Sequence, residues 1–192
     1  AYVMLAFRID WVKVYHPLAF YAAYFYRRSQ KGGFDAVLMT QGMEAIMANM
    51  DAIETNENAS DKDEDLLTTM EVVYEYYLRG FDFLPIDIYK SHATKFLVED
   101  GKILPPFVAI SGLGENAAHS IVNARHKEMF KSQDDLLART KLSSTLLNAL
   151  EECGCLRDLP KSQLGVNVDG DFEPKYITKR GKGDLLSKHK KE

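Results

Sequence analysis

Between Phe107 and Arg125, two glycines flank one leucine in Ile110-Ser111-Gly112-Leu113-Gly114-Glu115-Asn116-Ala117-Ala118-His119-Ser120-Ile121. This pattern constrains the chain more than any other. A glycine supplies positive φ without steric cost and leaves no Cβ to hold a neighbouring group away. Gly112 and Gly114 therefore predict a tight turn with positive φ, and Leu113 is placed to plug the apolar seam of two flanking helices. The second helix is expected to begin near Glu115, with its first amides unpaired and pointing outward. Ala118 is small where the helices must approach closely, and Ile121 and Val122 continue the buried face.

Apolar–x–Gly–apolar–Gly followed by a small-residue helix is the pattern of a helix-hairpin-helix, a device that grips the sugar-phosphate backbone of DNA. A helix N-terminus with free amides is an anion site by construction. Ser111, Gly112, Leu113, Gly114 and the amides near Asn116 and Ala117 are the candidate phosphate contacts. Asn116, His119 and Asn123 share the outward face of the second helix and can add to them. The Glu115 carboxylate suits the helix dipole but is unfavourable beside a phosphate. Such contacts position a duplex without reading its bases.

The net charge of -4 argues against DNA binding by the whole surface, so contact with nucleic acid must be local. Apolar residues make up 46% of the 192, enough for a real core. Cys153 and Cys155 stand one residue apart, a spacing poor for an unstrained disulfide, and no Cys/His set suits zinc; reduced thiols are expected. No metal site and no catalytic residue are expected in this chain. The apolar start is broken by Arg8, Asp10, Lys13, His16 and Pro17, which argues against a spanning helix, and it lacks the basic start and clear cleavage site expected of a signal peptide. The chain starts at Ala1 already in helical pattern, as the inside of a longer protein would.

The fold class expected is mainly α with a small β-hairpin: a helical segment, then the hairpin region. Residues 1–14 predict a helix with Val3, Phe7, Trp11 and Val14 on one face and Trp11 shielded. Pro17 opens a second helix to about Arg28, crowded with Phe20, Tyr21, Tyr24, Phe25 and Tyr26. These aromatics are expected to form core rather than a base-stacking platform. A single helix is predicted over 35–54, with Leu38, Ile46, Met50 and Ile53 inward. Another is predicted from about Asp63 to Leu78, stopped by Gly80. Phe83–Ile88 is expected as a strand, and Glu99-Asp100-Gly101 as the turn of a β-hairpin. Ser132-Gln133-Asp134-Asp135 predicts a capping box for a helix to about Thr140, and Ser143 or Ser144 caps another to Glu152. After Leu164 the chain loses apolar periodicity and becomes basic, with Lys175, Lys179, Arg180, Lys182, Lys188, Lys190 and Lys191; it is expected to be disordered.

Four motifs stand in one collinear order. They are Ala1–Phe25, Gly80–Tyr89, the hairpin Ile110–Ile121, and Lys141-Leu-Ser-Ser to Gly154-Cys-Leu156. Together they cover about residues 1–163 and resemble the C-terminal end of the PolC-type alpha subunit of bacterial DNA polymerase III. The resemblance implies that 1–80 is the last part of a fingers domain, 81–163 a duplex-binding region, and 164–192 a basic tail. It implies a cytoplasmic, DNA-directed DNA polymerase as the parent, acting on primer-template and deoxynucleotides with magnesium. The palm aspartates that hold the metal would lie upstream, so this piece alone would be inactive. The family tends to end in a clamp-binding peptide, Gln-Leu-Ser-Leu-Phe. Here Gln163-Leu164-Gly165-Val166-Asn167 keeps the Gln and Leu but lacks the aromatic anchor, which argues against sliding-clamp binding. A non-enzymatic helix-hairpin-helix module of a repair or recombination protein, and a helical scaffold without nucleic acid, are the alternatives.

Overall fold

The computed structural model describes residues 1–56 and 58–162. The basic tail and the Gln163 motif lie outside the described residues. The architecture is mainly helical with one two-stranded antiparallel β-hairpin. Among the described residues, no helix is long and apolar enough to cross a membrane.

Helix α1 spans Tyr2–Tyr15 and α2 spans Pro17–Ser29, with Pro17 at the first helical position of α2, where its missing N–H costs nothing. Both follow the sequence expectation in extent, but not α1 in burial. No residue of α1 is buried; Val3, Phe7, Val14 and Trp11 are exposed, Trp11 by 46%. The predicted shielding of Trp11 is thus corrected: α1 rests on α2, and no described element covers its other side. In α2 the prediction of core aromatics holds for four of the five, with Tyr21 and Phe25 fully buried and Phe20 and Tyr24 packed against the core; Tyr26 is corrected to exposed.

The single helix predicted over 35–54 is two: α3 (Ala36–Met39) and α4 (Met43–Glu54). Gly42 between them has φ 103 and ψ 170, a conformation open essentially to glycine only. Asp35 caps α3 by accepting from the Val37 amide. Helix α5 (Asp61–Leu78) begins at a capping box, Ser60 with Asp63, and is followed by Gly80 at φ 79. Tyr77 donates from its hydroxyl to the Met39 carbonyl, tying α5 to α3.

Phe83–Ile88 does not form the predicted strand. One parallel bridge, Phe83 with Ile103, is made, with the Leu84 amide donating to the Ile103 carbonyl at 2.8 Å. Pro85 then has no N–H to continue a ladder. The predicted hairpin is present: β1 (Leu97–Glu99) pairs with β2 (Lys102–Leu104), Val98 opposite Ile103. Asp100 and Gly101 both have positive φ, as a two-residue turn matched to strand twist requires.

Helix α6 is Glu115–Lys127, α7 is Gln133–Arg139 and α8 is Ser144–Glu152. Ser132 and Ser143 cap α7 and α8. The box predicted at Ser132 is open on one side: Asp135 accepts from the Lys131 amide instead of that of Ser132. One connected apolar cluster runs from Tyr21 and Phe25 through Tyr76, Phe83 and Ile103 to Leu113, Ile121, Leu136 and Leu159. Phe25 sits at its aromatic centre, with ring centroids of Phe34, Phe83 and Tyr76 at 5.1, 5.5 and 5.7 Å. Each such buried ring contributes about 1.5–3 kcal/mol of apolar burial.

Candidate nucleic-acid interface

The hairpin is built around Leu113. Its side chain is 2% exposed, and its amide donates to the Ile110 carbonyl at 3.0 Å, closing the turn. Gly112 carries the positive φ, 81°. Gly114 does not: φ is -71° and ψ 162°, the extended geometry of an N-cap. The expectation of two positive-φ glycines is thus corrected to one. A Cβ at Gly114 would meet nothing within 4 Å. That open space lies directly at the start of α6.

The first arm also differs from the expected helix. It is a single 3₁₀ turn, Phe107–Ala109, entered through Pro105-Pro106. Two consecutive prolines offer no amides for an upstream helix. The Phe107 and Val108 amides instead donate to the His92 and Ala93 carbonyls, both at 3.0 Å. The arm is therefore held by the loop before β1.

Helix α6 has no side-chain cap at its N-terminus; its first backbone bond is Ala118 N–H to the Gly114 carbonyl. The amides of Glu115, Asn116 and Ala117 precede that bond and have no acceptor within the helix. Ser111, Gly112, Gly114, Asn116, His119 and Asn123 are exposed, Ala117 is half-buried and Leu113 is core. Asn116, His119 and Asn123 share one outward stripe, and Ala118 and Ile121, both fully buried, line the inward one. The dipole is balanced at the far end by Arg125, His126 and Lys127.

Sequence reasoning missed what fixes α6 in place. Arg139 of α7 donates to the Ala124 and Glu128 carbonyls at 2.6 and 2.7 Å, satisfying the open end of α6. Its guanidinium also bonds Asp135 at 3.0 Å and lies over the Phe130 ring. The Lys131 amide holds the Asp135 carboxyl below its usual range, against the effect of desolvation, and Arg139 adds to this. Arg125 donates to the Ile88 carbonyl at 3.0 Å. The only local signal was a basic residue in a helix's last turn.

A cleft of about 420 Å³ separates the hairpin from the start of α5; residues 111–114 of the turn line it on one side, and Ser29, Asp35 and Lys62 on the other. Asp61, Asp63 and Glu64 crowd the same helix start, so the potential there is unfavourable for phosphate. The outward stripe of α6 is free of that acidity beyond Glu115.

Asp82 and Asp87 do not suit a magnesium ion. Asp82 is ion-paired with Lys102 at 2.9 Å, and Asp87 Oδ1 accepts from the Tyr89 and Lys90 amides. Among the described residues, no group of three or more His, Cys, Asp or Glu is gathered for a metal. Cys153 and Cys155 are free thiols, and burial pushes them up to about 11 and about 12, which makes them poor nucleophiles.

Residues 80–164 match the family model described as a helix-hairpin-helix motif. Two curated relatives, each named DNA polymerase III PolC-type, come from Streptococcus suis and Clostridium perfringens. They are 45% and 46% identical to this chain over 164 and 163 residues. A third, from Streptococcus pneumoniae, is 44% identical over 164 residues. In each case the match covers 84% of this chain and 11% of the relative.

Proposed function

Because this chain is homologous over most of its length to one segment of PolC-type DNA polymerase III, we propose that it works as the duplex-holding part of a replicative DNA polymerase. Residues 1–80 complete the fingers, and 81–163 grip product duplex through backbone phosphates. The observation that carries it is the uncapped start of α6 behind an open Gly114, inside a segment that matches a helix-hairpin-helix model. Three unpaired amides and a helix dipole attract a phosphate without selecting a base. His119, Asn116 and Asn123 extend the contact along α6, and Leu113 holds the turn rigid from inside.

Nucleotide addition, with its deoxynucleotide substrates and two magnesium ions, belongs to a palm outside this chain. The magnesium does not fit here, since Asp82 and Asp87 are already engaged. A sliding clamp as partner has no support in the described residues.

Fluorescence anisotropy on a labelled duplex tests the proposal. Binding on the order of 10⁻⁴–10⁻⁶ M, similar for unrelated sequences and weaker as salt rises, is expected. Gly114→Val should reduce affinity while circular dichroism stays unchanged, because the extended backbone accepts valine and only the approach of phosphate is blocked. Equal binding by a folded Gly114→Val variant would remove the hairpin from the interface. In a primer-extension assay the purified chain should incorporate no nucleotide; incorporation by a clean preparation would refute an upstream palm.

A further inference from the structure

We infer that the loop from Asp87 to Lys95 is a second wall of the duplex interface, with His92 and Lys95 contacting the phosphate backbone alongside α6. This rests on the reading that the hairpin holds duplex DNA, and it adds residues that neither the hairpin pattern nor the motif match assigns a role.

The loop is rigid and fixed to the hairpin. Asp87 and Ser91 close it with a backbone bond at 3.0 Å and a second from the Asp87 amide to Ser91 Oγ at 3.1 Å. The His92 and Ala93 carbonyls accept from the hairpin's first arm, and Arg125 of α6 reaches the Ile88 carbonyl. Both arms of the hairpin are thus bonded to this loop, so any duplex seated on α6 meets it in a set geometry.

Its chemistry is that of an anion contact. His92 Nδ1 accepts from the Thr94 and Lys95 amides at 3.0 and 3.1 Å. Two donors on Nδ1 place the ring proton on Nε2, making that atom a neutral donor. Desolvation, and after it the neighbouring Lys95 and Arg125, disfavour protonation of the His92 ring. Lys95 of the loop and Arg125 of α6 therefore bring positive charge from two chain segments beside the outward stripe of α6. The Asp87 carboxylate bears on Arg125 and is occupied by loop amides. Lys95 is exposed, and among the described residues neither it nor His119 has an ion-pair partner. An unneutralised cationic ledge beside uncapped helix amides suits a second phosphate of the same backbone.

The test is duplex binding of the 192-residue chain as a function of salt. Lys95→Gln should make the slope of log K against log salt shallower by about 0.9, the loss of one phosphate contact. His92→Asn keeps an acceptor for the two loop amides but loses the Nε2 donor. It should weaken binding about 2- to 10-fold, the span of one neutral hydrogen bond, with the slope unchanged. Arg8→Gln, on exposed α1, should leave both quantities at wild-type values. A wild-type slope in Lys95→Gln, a wild-type affinity in His92→Asn, or an equal change in Arg8→Gln would each overturn the second wall. Wild-type protein that shows no salt-dependent binding would instead overturn the hairpin reading, and this one with it.

Discussion

At the scale of single residues, the two glycines of the turn have separate tasks. Gly112 is needed for its φ of 81°, since a Cβ there would meet only Leu146 at 3.9 Å. Gly112→Val should therefore destabilise the fold, by about 1–2 kcal/mol for the left-handed backbone, read as a lower urea midpoint with unchanged slope. Gly114→Val should leave that midpoint nearly in place. If both variants lose equal stability, the division of labour is wrong. Leu113→Ala removes the core plug of the turn and should cost about 2–5 kcal/mol. The chain pattern announced all three residues as special but not which glycine bends the backbone, because φ depends on how the two arms meet.

At the scale of elements, α6 is a helix left open at its start and closed at its end. The closure comes from Arg139, whose guanidinium serves the Ala124, Glu128 and Met129 carbonyls. Arg139→Leu should cost about 1.5–3 kcal/mol, because those carbonyls lose charge-assisted donors. Amide exchange at the C-terminal end of α6 should rise with it. Asp135 anchors the same arginine and carries a depressed pKa. Its stabilising effect is full above the unfolded carboxylate value and is lost as pH falls through the folded one. The α6–α7 corner should accordingly loosen below about pH 4, where an unperturbed aspartate protonates. Asp135→Asn should flatten that acid dependence, and retention of the full dependence in the variant would assign it elsewhere.

At the scale of the whole molecule, one apolar cluster joins the N-terminal helices to the hairpin region, and Phe25 links them. Phe25→Ala should cost about 3–5 kcal/mol. Far-ultraviolet dichroism and the fluorescence of tyrosines in both regions should lose their signals in one coincident transition; separate transitions would show that the regions fold independently. Helix α1 stands apart from this core, so iodide should quench Trp11 freely; a protected indole would show the exposed face covered in solution. The helical class, the β-hairpin, the glycine turn with its buried leucine, and the caps at Ser132 and Ser143 were legible in the local pattern. Those features depend on neighbours a few residues apart, where side-chain oxygens, glycine and alternation act directly on the backbone. Long-range packing set the rest: Phe83–Ile88 makes a single bridge, the first hairpin arm is a 3₁₀ turn bonded to His92 and Ala93, and Arg139 closes α6. It also left Trp11 facing outward. Each depends on a group distant in sequence supplying a donor, an acceptor or a covering surface, and local pattern carries no record of which distant group arrives.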